Sequence, residues 1–147
     1  MAAAAEKART SACMSNLKQV SLAMLMYSQD YDETMPPNDR WPEGLQPYLH
    51  NNQLFVCPSD ESPHATGVEG WPLSYTFSER LDGTNLMNIL RPAEEVAIFD
   101  GSVLSGGRED VEFRHEGEAV VGFTDGHVSA IPRSDWDEHW EAMTGGE

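Results

Sequence analysis

Apolar side chains return at Cys13, Leu17, Val20, Met24, Tyr27 and Tyr31, in alternating steps of four and three. That spacing stacks them on one face of a helix. Neither Gly nor Pro interrupts residues 3–31, so the pattern predicts a helix from Ala3 to Tyr31, roughly 40 Å long. A second apolar line, Met14, Leu22, Leu25 and Met26, widens the face over the C-terminal half, which is therefore expected to be buried against a sheet. Ala2 to Thr10 is Ala-rich, charged and without a stripe. That segment is expected to project with nothing covering it. The acidic run Asp30 to Glu33 and then Pro36-Pro37 end the helix and force an extended exit.

Beyond the helix the period changes. Residues 32–94 read as an irregular middle rich in Pro, Asn, Asp and Gly, with a short helix over Glu43 to Leu49. Leu54 to Cys57 is a short apolar stretch closed by Pro58, and Leu73 to Ser78 alternates as a strand does. Residues 95–131 read as a sheet: Glu95 to Phe99, Ala119 to Thr124 and His127 to Ile131 are strands, and Ser102 to Asp110 is a Gly-rich loop. Asp125-Gly126 is a hairpin signal, expected as a type I′ turn with Phe123 facing Val128 and Val121 facing Ala130. In the tail, residues 132–147, Trp136 and Trp140 lie four apart and suit a short docked helix. The expectation is one α+β domain over residues 1–147: a long N-terminal helix packed on a C-terminal antiparallel β-sheet, with an irregular region between.

Composition narrows the functions. A hydrophobic fraction of 39%, with four Trp, four Tyr and five Phe, supports one modest core rather than disorder. The formal net charge of -16 comes from 25 acidic against 9 basic residues, with no basic cluster. Nucleic-acid binding is not predicted, and contact with anionic membrane surfaces is disfavoured. No run of about 18 apolar residues is present. The opening Met1 to Ala5 reads as a truncation point.

Signals for catalysis are weak. The chain has no Gly-x-Ser-x-Gly, phosphate-cradling loop or dinucleotide fingerprint, and it reads as a non-enzyme. Cys13 and Cys57 are an even count, with a single pairing available. They stand either as two buried free thiols or as one disulfide, and the disulfide is expected, since it fits an exported protein. His115, Asp125, His127 and Asp100 invite a metal reading. However, a strand from Ala119 to Thr124 would hold His115 and Asp125 roughly 20 Å apart, so no metal is assigned there. Asp125 then reads as a turn residue and His115 as a hydrogen-bonded histidine at a strand end. Calcium at Asp30 to Glu33 or Asp135 to Glu138 stays open, although neither segment has an EF-hand pattern.

Residues 5–33, with Cys13-x-x-Asn16-Leu17-Lys18-Gln19, and residues 113–128, with His115 followed after nine residues by Asp125-Gly126, resemble a bacterial family of prepilin-type proteins. These are similar to type IV pilins and type II secretion major pseudopilins, and Cys57-Pro58-Ser59 matches a further element of that family. The resemblance implies a non-catalytic filament subunit. Its helix would pack with copies of itself and with other pilins or pseudopilins, assembled by inner-membrane machinery. Its head would lie on the periplasmic or extracellular side. The resemblance also implies a prepilin peptidase site and an apolar, membrane-anchoring half-helix ahead of Ala2. The alternative is a free-standing periplasmic or cell-surface binding module using the 60–80 loop.

Overall fold

The computed structural model describes residues 2–65 and 70–144. Helix α1 runs Ala2–Asp30 and α2 runs Trp41–Leu49. A small ribbon pairs β1, His64–Ala65, with β2, Pro72–Leu73. The main sheet contains β3 (Tyr75–Ser78), β4 (Val96–Asp100), β5 (Ser105–Gly106), β6 (Glu118–Phe123) and β7 (Val128–Pro132). Helix α3, Arg133–Thr144, closes the described chain. Strand order is β5-β3-β4-β6-β7, antiparallel throughout except for the parallel β3–β5 pair. The expected α+β fold is therefore present. β3 falls within the strand expected over Leu73 to Ser78, and the sheet also recruits β5 from the Gly-rich loop, because Thr76 Oγ1 and the backbone of Phe77 bond to the carbonyls of Val103 and Leu104.

The helical stripe does what its spacing requires. Cys13, Leu17, Val20, Ala23 and Met24 are buried with Phe77, Ala97, Ile98 and Val120 on one face of the sheet. Close approach is set where α1 crosses β6: a Cβ on Gly122 would stand 2.6 Å from Ser21 Oγ. Two small residues thus let helix and sheet meet. On the other face, Trp136 and Trp140 of α3 cover Phe99, at ring distances of 5.2 and 6.0 Å. The result is a helix–sheet–helix sandwich with a core on each side of the sheet.

Several expectations need correction. Tyr31 is not on the core face. It is 54% exposed, because α1 ends at Asp30 and Asp32 and Glu33 turn into positive φ, a left-handed helix stop. Tyr27 is half-buried and stacks on Tyr31. In the second apolar line Met14 and Leu25 are half-buried, but Leu22 and Met26 are exposed, at 44% and 48%. The N-terminal turns are not wholly free, since Glu6 and Thr10 hydrogen-bond to residues of the head. Asp135 to Glu138 lies within α3, the helix expected for the tail.

The hairpin register is one residue away from expectation. Gly122 faces Val128, Val121 faces Ser129 and Val120 faces Ala130. The N–H of Phe123 donates to the carbonyl of His127, leaving a three-residue loop, Thr124 to Gly126. Only Gly126 in that loop has positive φ, at 92°. That is the geometry of a three-residue hairpin loop with glycine in the left-handed position, in place of the two-residue type I′ turn.

Two substitutions test this packing. Leu17→Ala or Met24→Ala should cost about 2–5 kcal/mol as large-to-small core changes, whereas Leu22→Ala should fall within about 0.5 kcal/mol, all read by urea denaturation. Gly126→Val should destabilise by more than about 1 kcal/mol. It must hold positive φ, and its Cβ would stand 2.8 Å from Leu25 Cδ1. A neutral Gly126→Val would mean that the loop is built otherwise.

Candidate functional site

Four side chains remote in sequence meet under the N-terminal third of α1. Cys13 comes from the helix, Cys57 from the segment after the 3-10 turn Asn52–Phe55, Asp100 from the last position of β4, and His115 from the turn leading into β6. Each position follows from local structure. Cys13 begins the buried stripe. The backbone N–H of Cys57 donates to Ser74 Oγ at 2.8 Å. His115 is bridged backbone to backbone with Glu118, which pins the ring at the start of β6. One donor atom from each of the four lies within 4.8 Å of the others, and all four residues are buried.

The contacts form a connected network. His115 Nε2 is 3.0 Å from Asp100 Oδ2 and 3.4 Å from Cys57 Sγ. Cys13 Sγ donates to Asp100 Oδ1 at 3.6 Å and lies 3.3 Å from the Tyr75 hydroxyl. The backbone N–H of Val120 donates to Asp100 Oδ2 at 2.8 Å. Arg114 Nη1 is 3.6 Å from Asp100 and 3.1 Å from Asp60, while its guanidinium also donates to the carbonyls of Ser74 and Gly101. On the far edge of the imidazole, Nδ1 is 3.2 Å from Glu6 Oε1 and 3.1 Å from Thr10 Oγ1.

Electrostatics follow from this geometry. Burial pushes the Cys13 thiol up, helped by the hydrogen bond with Cys57 and by the charge of Asp100. Cys57 moves the other way: the hydrogen bond from Cys13 lowers it, burial opposes, and His115 lowers it again. Burial alone would favour a neutral His115 ring, but the hydrogen bonds to Asp100 and Cys57 outweigh it and raise the ring to about 10. Burial likewise raises Tyr75. The set can stabilise one thiolate beside an imidazolium, or it can offer two sulfurs, a nitrogen and an oxygen to a common centre.

Cys13 and Cys57, the pair expected as a disulfide, stand side by side in this structure. Both cysteines are free thiols, brought together as expected but engaged with Asp100, Tyr75 and His115. His115 does sit at a strand end, but its carboxylate partners are Asp100 and Glu6 and not Asp125. Asp125 and Gly126 lie in the hairpin loop at the opposite end of β6, where Asp125 accepts from the backbone and ring of His127. Of the residues set aside as a metal group in the sequence, Asp100 and His115 belong together, and Asp125 and His127 form a separate surface pair. The two cysteines complete the set. No compact motif announces it, since the four residues lie far apart in the chain, with no Cys-x-x-Cys or His-x-x-x-His spacing.

A family model described as a protein of unknown function (DUF1559) matches residues 2–47, covering α1 and most of α2 but under a third of the chain. That family is associated with pilin-like proteins, and the match does not specify a function. No curated protein and no solved structure matches the chain. Among the described residues, no helix is long and apolar enough to cross a membrane.

Asp100→Ala should cost about 3–5 kcal/mol, because it removes the shared acceptor and leaves Arg114 and His115 buried without that counter-charge. Equilibrium denaturation of the reduced protein measures it. A loss below about 1 kcal/mol would mean that the network is not needed for folding.

Proposed function

We propose that this chain is the head and lower helix of a non-catalytic filament subunit, of the type IV pilus or type II secretion pseudopilus kind. The observation that carries the reading is the division of α1 into two unlike parts. From Cys13 onward the helix buries a continuous stripe against the sheet. Before it, Ala4, Ala5, Lys7, Ala8 and Arg9 are exposed, and among the described side chains Glu6 and Thr10 tie the helix down. A helix of 29 residues is about 44 Å long, more than this sheet needs to cover one face.

The outward side of α1 supports the same reading. Leu22 and Met26 lie four apart and are 44% and 48% exposed. Apolar side chains in line on an exposed helix face mark a surface for a partner, and in a filament the partner is a neighbouring subunit's helix. The match over residues 2–47 falls on this same helix. In this reading the subunit is held at the inner membrane before assembly and its head faces the periplasm or the exterior. The four-residue cluster then works as a clamp fixing helix to head. All four members are buried away from any substrate, which argues against a catalytic role.

The test is assembly by the complete gene product in its native host. Filaments sheared from cells should contain this chain by immunoblot and immunogold labelling. Met26→Glu should leave the stability of the isolated head within about 0.5 kcal/mol, as a surface change does, yet abolish or strongly reduce filaments. Recovery of the chain only as a monomer, or filaments unaffected by Leu22→Lys and Met26→Glu together, would overturn the reading.

A further inference from the structure

We infer that Cys13, Cys57, Asp100 and His115 form a structural zinc site. Zinc(II) takes four ligands in a tetrahedron, with Zn–S about 2.3 Å and Zn–N or Zn–O about 2.0–2.1 Å, which sets donor–donor edges at about 3.3–3.8 Å. Here Cys57 Sγ to His115 Nε2 is 3.4 Å and Cys13 Sγ to Asp100 Oδ1 is 3.6 Å, both edges of that length, while His115 Nε2 makes a shorter contact of 3.0 Å to the other carboxylate oxygen, Oδ2. The four donors lie within 4.8 Å of one another, so small side-chain rotations close the tetrahedron. Two sulfurs with one imidazole and one carboxylate is a donor set suited to zinc rather than calcium or magnesium, which prefer oxygen.

The surroundings of the ligands carry the inference further than their proximity does. A histidine that binds zinc through one ring nitrogen characteristically gives its other N–H to a carboxylate. His115 turns Nε2 into the cluster and Nδ1 toward Glu6 Oε1, at 3.2 Å, with Thr10 Oγ1 beside it. Asp100 is oriented in turn by the backbone N–H of Val120. Binding would release two protons to solvent, one from the Cys13 thiol and one shared by the Cys57–His115 pair, so that two thiolates and a neutral imidazole meet the metal with no change of oxidation state. Two thiolates and a carboxylate around zinc leave one net negative charge, which faces Arg114, 3.6 Å from Asp100. The ion would join α1, β4, the approach to β6 and the segment after the 3-10 turn, and it would occupy the thiols that a disulfide would otherwise consume. This assignment is independent of whether the chain polymerises.

The experiment uses the full chain, purified under reducing conditions and stripped with chelator, titrated with zinc chloride by calorimetry and separately with cobalt(II) followed by absorption. One zinc per chain is expected, with a raised melting temperature and a thiolate-to-cobalt charge-transfer band. Cys57→Ser and His115→Gln should each weaken zinc binding by more than about 100-fold, beyond what loss of an outer-shell partner alone produces. Glu6→Gln, at the edge of the cluster, should keep the fold by circular dichroism yet bind about 10–100-fold more weakly, and it keeps the test open if a ligand variant fails to fold. His127→Gln, on the remote hairpin, should bind like the parent. A reduced, folded chain that takes up no zinc, a cobalt complex without the thiolate band, or zinc uptake indifferent to Glu6→Gln and Cys57→Ser would overturn the assignment.

Discussion

Asp100 ends the central strand of the sheet with a carboxyl group that no solvent reaches. A buried carboxyl is costly unless its oxygens are met by donors, and here the donors come from every part of the molecule. The helix supplies Cys13, the neighbouring strand the N–H of Val120, and the turn before it His115 and Arg114. Apolar packing alone would let α1 slide along the sheet at modest cost, since one Leu or Met fits much like another. The demand for donors at one point does not permit sliding. It sets the helix at Cys13, and His115 extends the constraint to Glu6 and Thr10, a further turn or two along.

This anchor explains why the molecule can be stable and still present an unfinished surface. The sheet is covered on both faces, by α1 and by the two tryptophans of α3, so the core is closed. Leu22, Met26 and Tyr31 remain outside. The proposed filament role would use both properties, a head that folds by itself and a helix side left for neighbours. Whether the anchor is a hydrogen-bonded thiol–imidazole–carboxyl network or a metal centre, it lies next to the part of the helix that contacts the head least. Changes there would alter how firmly the lower helix is held.

What was readable from residue order reflects local physics. The period of α1 places Leu17, Val20 and Met24 on the core face because a helix repeats every 3.6 residues whatever it packs against. The strands from Val96 and from Glu118, and the docking of Trp136 and Trp140, were legible for the same reason. Asp125-Gly126 announced a turn, since glycine alone accepts positive φ without strain. The dipeptide did not decide how many residues the loop holds. The backbone bond from Phe123 to His127 made it three, and the register moved by one.

The site itself was only half visible. Two cysteines implied a meeting of α1 with the middle region, and they do meet. A count of cysteines, however, says nothing about what else occupies the space between them. Asp100 and His115 were recognisable as polar residues near strand ends. Asp125 was set aside as a turn residue too far from His115, and it pairs with His127 at the surface instead. Strand order β3-β4-β6 alone carries the end of β4 beside the start of β6. It is the packing of α1 over that corner that lowers Cys13 onto Asp100. The sequence by itself determined the helix, its buried stripe and the α+β plan, because these depend on neighbours a few residues apart. The tertiary structure decided the cluster and the exposed line Leu22–Met26, because both depend on which surfaces face each other across long stretches of chain.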